Sequence, residues 1–422
     1  MSWVSKIWSR LFLEERSSLS ISLFRIACGF TVISHVIPSF ILFRENYLGD
    51  SFTRYNTSIF PVYFIEWVAA GPDWVAYLFM WLFCIFSFFF LIGFMSQFSA
   101  VMTMVSCYYF YALNSFHVGT LSWDILLVTM FLMCLVPYHG DFFSVDSLLR
   151  VGEGYRRKRP YFLQRLLQVQ VGFTFFYTAL WKIFPDGNWL NANPIFYLMH
   201  KPPAGVTKWF LLRDYLKTQP ELCYWLGIAV IVSEFLLMFL LFYRRTRISA
   251  IYMGVFFHVV LILTLDVPAT FFFLFPAQLC LFVNPDRIVD AIEERRRINQ
   301  TAQRPCIIFD GHCGFCRCAV RRLQMLDIFA QYQYVDFRQE PDLRLRHPQL
   351  TVDQCERELI LVDGLGRIYG GFFAFRKMSL SMPLMFPWIA VYYFPGMSQI
   401  GPAVYRMIAR NRRILPAFFS RC

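Results

Sequence analysis

The sequence predicts an all-α membrane bundle of about eight transmembrane helices, followed by a small α/β domain. Three observations lead there. Of the 422 residues, 57% are hydrophobic and only 16% charged, against about 25% charged in an ordinary soluble domain. Apolar runs close to the ~20 residues that cross a bilayer recur through the first 285 positions. Beyond residue 304 the pattern changes: "CIIFDGHCGFC", Cys306 to Cys316, sets a strand-like run, an Asp-Gly turn and a C-x-x-C pair in succession.

The candidate spans are 20–42, 74–94, 98–115, 122–138, 161–183, 221–243, 248–266 and 268–284. The first runs past Pro38 without a small-residue cleavage site, so it is expected to remain as a helix and not to be removed as a signal peptide. Little more than "DVP" separates the last two, which predicts a tight hairpin. Segments 43–73 and 184–220 carry Trp67, Trp74, Trp189 and Trp209 and are expected to fold against the bilayer surface or cap the bundle. Eight spans put both termini on one side. Arg16, Arg150, Arg156, Arg157, Arg159, Arg244, Arg245, Arg247 and Arg295–Arg297 all fall there, so that side is expected to be the cytoplasm. Lys201, Lys208, Arg213 and Lys217 lie opposite.

The net charge of +12 sits in short clusters beside apolar runs. That distribution reads as a topology signal and as contact with membrane lipid, and argues against a nucleic-acid partner. Cys28, Cys84, Cys107, Cys134, Cys223 and Cys280 lie singly in apolar runs, where cysteine is expected to act as a small buried hydrophobe.

Three domains follow: a bundle over 1–285, a charged helix-like connector over 286–304 and an α/β domain over 305–422. In the last, "CIIF", "YQYVDF" and the two halves of "ELILVDGLGRIYGG" are strand candidates. "CGFCRCAVRRLQML", "FFAFRKMSL" and "PAVYRMIARNRR" have helical spacing. "MPLMFPWIAVYYFPG" is apolar but broken by Pro383, Pro387 and Pro395, too short to span, and is expected to pack as helices within the domain or on the bilayer.

Disulfide exchange needs a thiolate, and a helix amino terminus favours one. With a strand ending at Phe309, a turn at Gly311 and a helix from about Cys313, the expected attacking thiol is Cys313 and the resolving thiol is Cys316. Asp310 could oppose the thiolate, cap the helix or relay protons. His312, if protonated, would favour the thiolate, and Cys318 is expected to pack inside. The rival use of Cys306, Cys313, Cys316, Cys318, Cys355 and His312 is a zinc site. It lacks the second ligand pair that structural zinc wants, so the expected metal is none.

Inside the spans, ionisable residues are functional candidates. Arg25 lies near the inner end of span one, where snorkelling competes with function. Glu234 and His258 are each ~14–15 Å from the inner ends of their spans at ~1.5 Å per residue, which would make them neighbours. Lys182 falls at the outer end of span five, as interfacial anchor or functional base.

Two resemblances attach to these motifs. "FDGHCGFCRCAVRRL", "LILVDGLGRIYGGFFAF" and "PGMSQIGPAVYRMIARNRR" resemble the opening, later hairpin and Tyr-x-x-x-Ala-x-Asn-Arg ending of the DCC-type thiol–disulfide oxidoreductases, a mostly bacterial, thioredoxin-like group. The resemblance implies site residues Asp310, Gly311, Cys313 and Cys316, a redox-active Cys313–Cys316 disulfide and a bacterial inner membrane. "SLFRIACG", "PYHGDFFSVDSLL", "FYTALWKIFPDGNWL" and "FFHVVLILTLDVPATFFF" resemble the HTTM superfamily, the membrane fold of vitamin K-dependent γ-carboxylase. That resemblance places Arg25, a base at Lys182, Glu234 and a functional His258. Near "GTLSWDILL" this chain has Trp123 and Asp124 where the carboxylase has a second His.

Three functions result. The first is a membrane-bound thiol–disulfide oxidoreductase serving a protein or small thiol and exchanging electrons with a quinone or another lipid-soluble partner. The second is a carboxylase-like or lipid-modifying enzyme centred on Lys182 and His258 with a regulatory dithiol. The third is a non-enzymatic membrane scaffold.

Overall fold

A computed structural model of the chain describes residues 8–9, 13–48, 71–113, 121–149, 158–184, 188–200, 210–265, 269–340 and 347–412. Trp67, Trp209, Lys201, Lys208 and the "DVP" link lie outside them. The chain divides into two compact units, residues 1–146 with 157–285 and residues 147–156 with 286–422.

In the first unit, strand β1 (Glu15–Ser17) precedes helices α1 (Leu19–Val36), α2 (Asp73–Ile92), α3 (Ser96–Leu113) and α4 (Leu121–Cys134). Strand β2 (Lys158–Pro160) leads into α5 (Phe162–Ile183), the short α6 (Trp189–Ala192) and α7 (Pro194–His200), then α8 (Pro220–Phe242), α9 (Arg247–Thr264) and α10 (Ala269–Cys280). A helix thus stands in each predicted apolar segment. Among the described residues, four of them are long and apolar enough to cross a membrane, α1 continued through Phe40, α2, α8 and α9, and a bent pair over Phe272–Cys280 and Pro285–Thr301 passes only when taken together. α4 and α10, with 14 and 12 residues, are shorter than a bilayer core requires. α5 carries Gln164, Arg165, Gln168, Gln170 and Lys182, too polar a set for a simple lipid-facing span.

The helices bury one face and leave another apolar and open. On α2, Phe83 and Phe90 are fully buried in the core that also holds Cys28 and Val32 of α1 and Cys107 of α3, while Leu78, Trp81, Ile85 and Phe88 stay exposed. A helix apolar on both faces is the signature of a lipid solvent. Cys28, Cys107 and Cys223 are buried as expected, whereas Cys280 is exposed. β1 and β2 pair antiparallel, a ribbon that sequence periodicity did not announce, and Asp141 receives two bonds from Arg159 beside it (2.7 and 3.1 Å).

The second unit opens with α11 (Pro285–Thr301), the expected charged connector. It continues with β3 (Cys306–Phe309), α12 (Gly314–Leu326), β4 (Gln333–Asp336), α13 (Val352–Arg357), β5 (Ile360–Val362) and β6 (Ile368–Gly370). α14 (Gly371–Met378), α15 (Ile389–Tyr392) and α16 (Met397–Asn411) complete it. The sheet order is β4-β3-β5-β6: β4 runs parallel to β3, while β5 and β6 are antiparallel additions. This is a βαβ unit followed by ββα, so the predicted α/β class holds. Successive strand residues face opposite ways. Ile307 joins Leu323, Leu361, Ala374 and Met378 on one face, and Ile308 joins Val335, Cys355, Ile360 and Val362 on the other.

Candidate functional site

The dithiol sits where β3 hands over to α12. The chain must turn sharply past the end of β4, and Gly311 is what permits it: its N–H donates to Asp336 Oδ1 (3.0 Å), and a Cβ there would lie 1.9 Å from Asp336 Oδ2. Cys313 is the N-cap of α12, and its Sγ accepts the backbone N–H of Cys316 (3.3 Å). One of the helix's four unsatisfied amino-terminal donors therefore points at sulfur. The cap is Cys313 and not Asp310, which corrects one of the roles weighed for that carboxylate.

Asp310 is buried and closes its own turn, accepting the His312 N–H (3.0 Å) and Arg338 Nε (2.7 Å) on Oδ1. Burial alone would raise this carboxyl. The Arg338 bond, the His312 N–H and the charges of Arg338 and Arg412 outweigh it and hold it below the usual carboxylate range. The His312 side chain is exposed, and Cys318 is buried, but as part of a disulfide and not as the simply packed thiol expected.

Cys316, one turn into α12, is half-buried. Burial, together with the neighbouring Cys313 and Asp310, pushes its thiol up to about 12, and Arg412 pulls the other way. Arg412 Nη1 lies 3.7 Å from Cys316 Sγ, while Nη2 donates to the Glu356 carbonyl on α13. The Glu356 side chain returns to Arg338 Nη2 (2.8 Å), so Arg338 and Arg412 lash α13 to the C-x-x-C loop. A cleft of ≈ 60 Å³ opens at Cys316, walled by Phe309, Phe315, Phe375, Ile408 and Ala409 and edged by Glu358, Tyr405 and Arg412. Burial raises Glu358 above its ordinary value. Tyr405 Oη accepts the Leu359 N–H (3.0 Å), which fixes α16 over the cleft.

No group of three or more His, Cys, Asp or Glu side chains among the described residues is placed to hold a metal ion. Cys306, Cys313, Cys316 and Cys355 are free thiols.

The membrane unit brings two of its four candidates together. Lys182 Nζ bonds Glu234 Oε2, with side-chain exposures of 13% and 8%, and lies 5.2 Å over the Trp189 ring. Helix register explains the meeting. Gly172 of α5 abuts Phe242 at the C-terminal end of α8, so ten residues on, Lys182 reaches the level of Glu234. α5 stops there at Ile183. α8 extends past that level to its start at Pro220, with Trp189 of α6 and Ile195 of α7 against Gly227 (3.8 and 3.9 Å from a Cβ there). Lys182 is thus set against α8 well inside that helix's length, paired with Glu234.

His258 was expected beside Glu234. It is buried, its Nδ1 2.8 Å from the Gly254 carbonyl, with the rings of Phe175 and Phe275 at 6.0 and 5.2 Å. Arg25 does not snorkel. It is fully buried and donates to the carbonyls of His139 (3.1 Å) and Phe143 (2.5 Å), tying α1 to the loop after α4. Gly93 leaves the room: a Cβ there would meet Arg25 Nη1 at 2.4 Å.

Residues 14–287, more than half of the sequence, match the family model of the HTTM domain. The chain belongs to the HTTM family. Behind its HTTM domain, residues 307–417 match the DCC1-like thiol-disulfide oxidoreductase model. No curated protein and no solved structure matches this HTTM protein.

Sequence reading of this HTTM protein did not single out Asp336, Arg338, Glu358, Tyr405 or Arg412. A signal existed for two of them. The Tyr-x-x-x-Ala-x-Asn-Arg ending is Tyr405, Ala409, Asn411 and Arg412, and three of these four line the cleft at Cys316.

Proposed function

We propose that this HTTM protein is a membrane-bound thiol–disulfide oxidoreductase in which Cys313 attacks and Cys316 resolves. The observation that carries the reading is the sulfur of Cys313 capping α12, with the Cys316 N–H aimed at it. In the forward cycle the Cys313 sulfur attacks one sulfur of a substrate disulfide, forming a mixed disulfide and releasing the first substrate thiol. Cys316 then attacks Cys313, forming the Cys313–Cys316 disulfide and releasing the second thiol. Two electrons leave the dithiol. Two small thiols, leaving as their disulfide, or one quinol or other lipid-soluble two-electron reductant carried by the membrane half, leaving as its oxidised form, return two electrons and two protons. Eight passes with both ends and the dithiol in the cytoplasm of a bacterial inner membrane are part of this proposal, supported by the arginine distribution.

The test is reduction of a small disulfide by the full chain in nanodiscs. Cys313→Ser is expected to abolish turnover, and turnover that survives the change refutes the reading. A second reading, a carboxylase-like or lipid-modifying site at Lys182, is favoured by one observation, the sequestered Lys182–Glu234 pair. It predicts that Lys182→Ala abolishes the cellular phenotype while Cys313→Ser leaves it intact.

A further inference from the structure

The positive charge of this chain is unevenly placed. Residues 364–422 contain eight Lys and Arg and not one Asp or Glu, so they carry eight of the net twelve positive charges. The same stretch carries the apolar surface of the second unit. Phe386, Trp388, Val391 and Phe394, around α15, are 47–66% exposed. On α16, Ile400, Val404 and Met407, spaced to share one helical face, are 42–58% exposed.

Packing accounts for the opposite face of α16. Gly401 is buried against Phe372, where a Cβ would lie 2.3 Å from the ring. Tyr405, Ala409 and Arg412 line the cleft. The exposed stripe is therefore a second face, beside which Arg406 and Arg410 are exposed four residues apart. Near α15, Arg376 lies 4.2 Å over the Tyr393 ring and donates to Ser398 Oγ (2.7 Å), so a cation and an aromatic ring stand together at the edge of the apolar patch.

Apolar residues on one face, cations and Trp/Tyr at its margins and no carboxylate within the same stretch of chain are the features of a segment that lies in the plane of a membrane interface. The Glu358 carboxyl, from outside the stretch, feels the charge of Arg406, and Arg410 is the cation set beyond it. We infer that α15 and α16 dock on an anionic lipid surface, with Trp388, Phe394, Ile400, Val404 and Met407 among the acyl chains and Arg406 and Arg410 at the headgroups. A second copy of the chain would bring the same basic stretch and set like charges together. Phosphate headgroups supply the missing sign. One consequence concerns access: the helix laid on lipid is the helix that walls the Cys316 cleft, so an apolar reactant could reach that cleft from the interface.

The experiment uses the full chain in phosphatidylcholine vesicles, with and without phosphatidylglycerol, containing a lipid with a photoreactive acyl chain. Peptides covering residues 386–408 are expected to be labelled in the anionic vesicles as α2 is, and roughly fivefold less without phosphatidylglycerol. Ile400→Glu with Met407→Glu is expected to remove that label while α2 keeps its own. Arg410→Glu, at an exposed position outside the core, gives the electrostatic arm by itself with an expected roughly fivefold loss. Unlabelled 386–408 peptides beside a labelled α2 overturn the inference, as does label that ignores both phosphatidylglycerol and the charge reversal. Neither result bears on whether Cys313 reduces disulfides.

Discussion

Replacing Arg412 by Gln should slow the second half of the redox cycle and leave the first half intact. The guanidinium lies 3.7 Å from Cys316 Sγ. Two unit charges at ~4 Å in an effective dielectric near 20 attract by about 4 kcal/mol. Cys316 is only half-buried, and water that replaces the guanidinium recovers much of that, so about 1.4 kcal/mol is a fair net loss. Resolution should slow roughly tenfold. The pH dependence carries the signature. In the reduced dithiol, burial and Cys313 push the Cys316 thiol up and Arg412 pulls it down; once Cys313 is tied in the mixed disulfide its share is gone, while burial still raises the thiol and Arg412 still lowers it. Removing the cation raises it further, so at every pH below its pKa less thiolate is present. The rate–pH curve should then move about one unit to the alkaline side. Glutathione disulfide is a suitable substrate, with the Cys313–glutathione adduct and its decay followed by mass spectrometry. The adduct should form at the wild-type rate, accumulate and decay slowly, and Arg412→Lys should recover most of the loss. An Arg412→Gln variant that resolves at the wild-type rate with an unshifted pH curve refutes the argument.

Three further perturbations test other parts of the structure. Gly311→Ala should force the loop off Asp336, costing about 1–3 kcal/mol, read as a lower melting midpoint of the second unit; Asp336→Gly in the same chain should restore part of it, and equal midpoints would sink the account. Lys182→Met or Glu234→Gln, each stranding one buried charge, should destabilise the membrane unit by about 3–5 kcal/mol. The double variant should cost less than either single one, so additive losses in a thermal-aggregation series count against the pair. Arg338→Ala should release Asp310, whose folded-state pKa is held below the ordinary carboxylate range. A depressed folded value stabilises above the ordinary carboxylate pKa near ~3.9 and is lost as pH falls through the lower one. The variant should therefore lose exchange protection of the His312 amide at a higher pH than wild type, and matching acid profiles would show that Arg338 is not the partner that matters.

The first unit yielded its helices to sequence reading because hydropathy is local. Every predicted apolar run holds a helix, and "CIIF" and "YQYVDF" became paired strands. What local pattern cannot carry is depth and register. Counting residues from span ends put Lys182 at an interface and Glu234 beside His258. What the count did not give is the contact of Lys182 with Glu234, which follows from the offset between α5 and α8 set by Gly172 against Phe242. Arg25 was ambiguous for the same reason: its partners are carbonyls more than a hundred residues away.

The dithiol shows the same division. C-x-x-C, the Asp-Gly turn and the strand–helix order are contiguous, so attacking and resolving sulfurs could be assigned by position. Arg412 lies 96 residues from Cys316 and meets it only after α16 has crossed back over the cleft. An arginine in an exposed, basic helix looks like every other arginine in that helix: Arg406 and Arg410 face outward and Arg412, two residues on, faces the sulfur. What separates them is the packing of Gly401 on Phe372 and of Tyr405 on the Leu359 amide, which fixes the rotation of α16 about its own axis. The specificity of that one cation is thus a property of helix rotation. A change that rotates α16, Gly401→Ala being the mildest, should impair resolution at Cys316 without touching either cysteine.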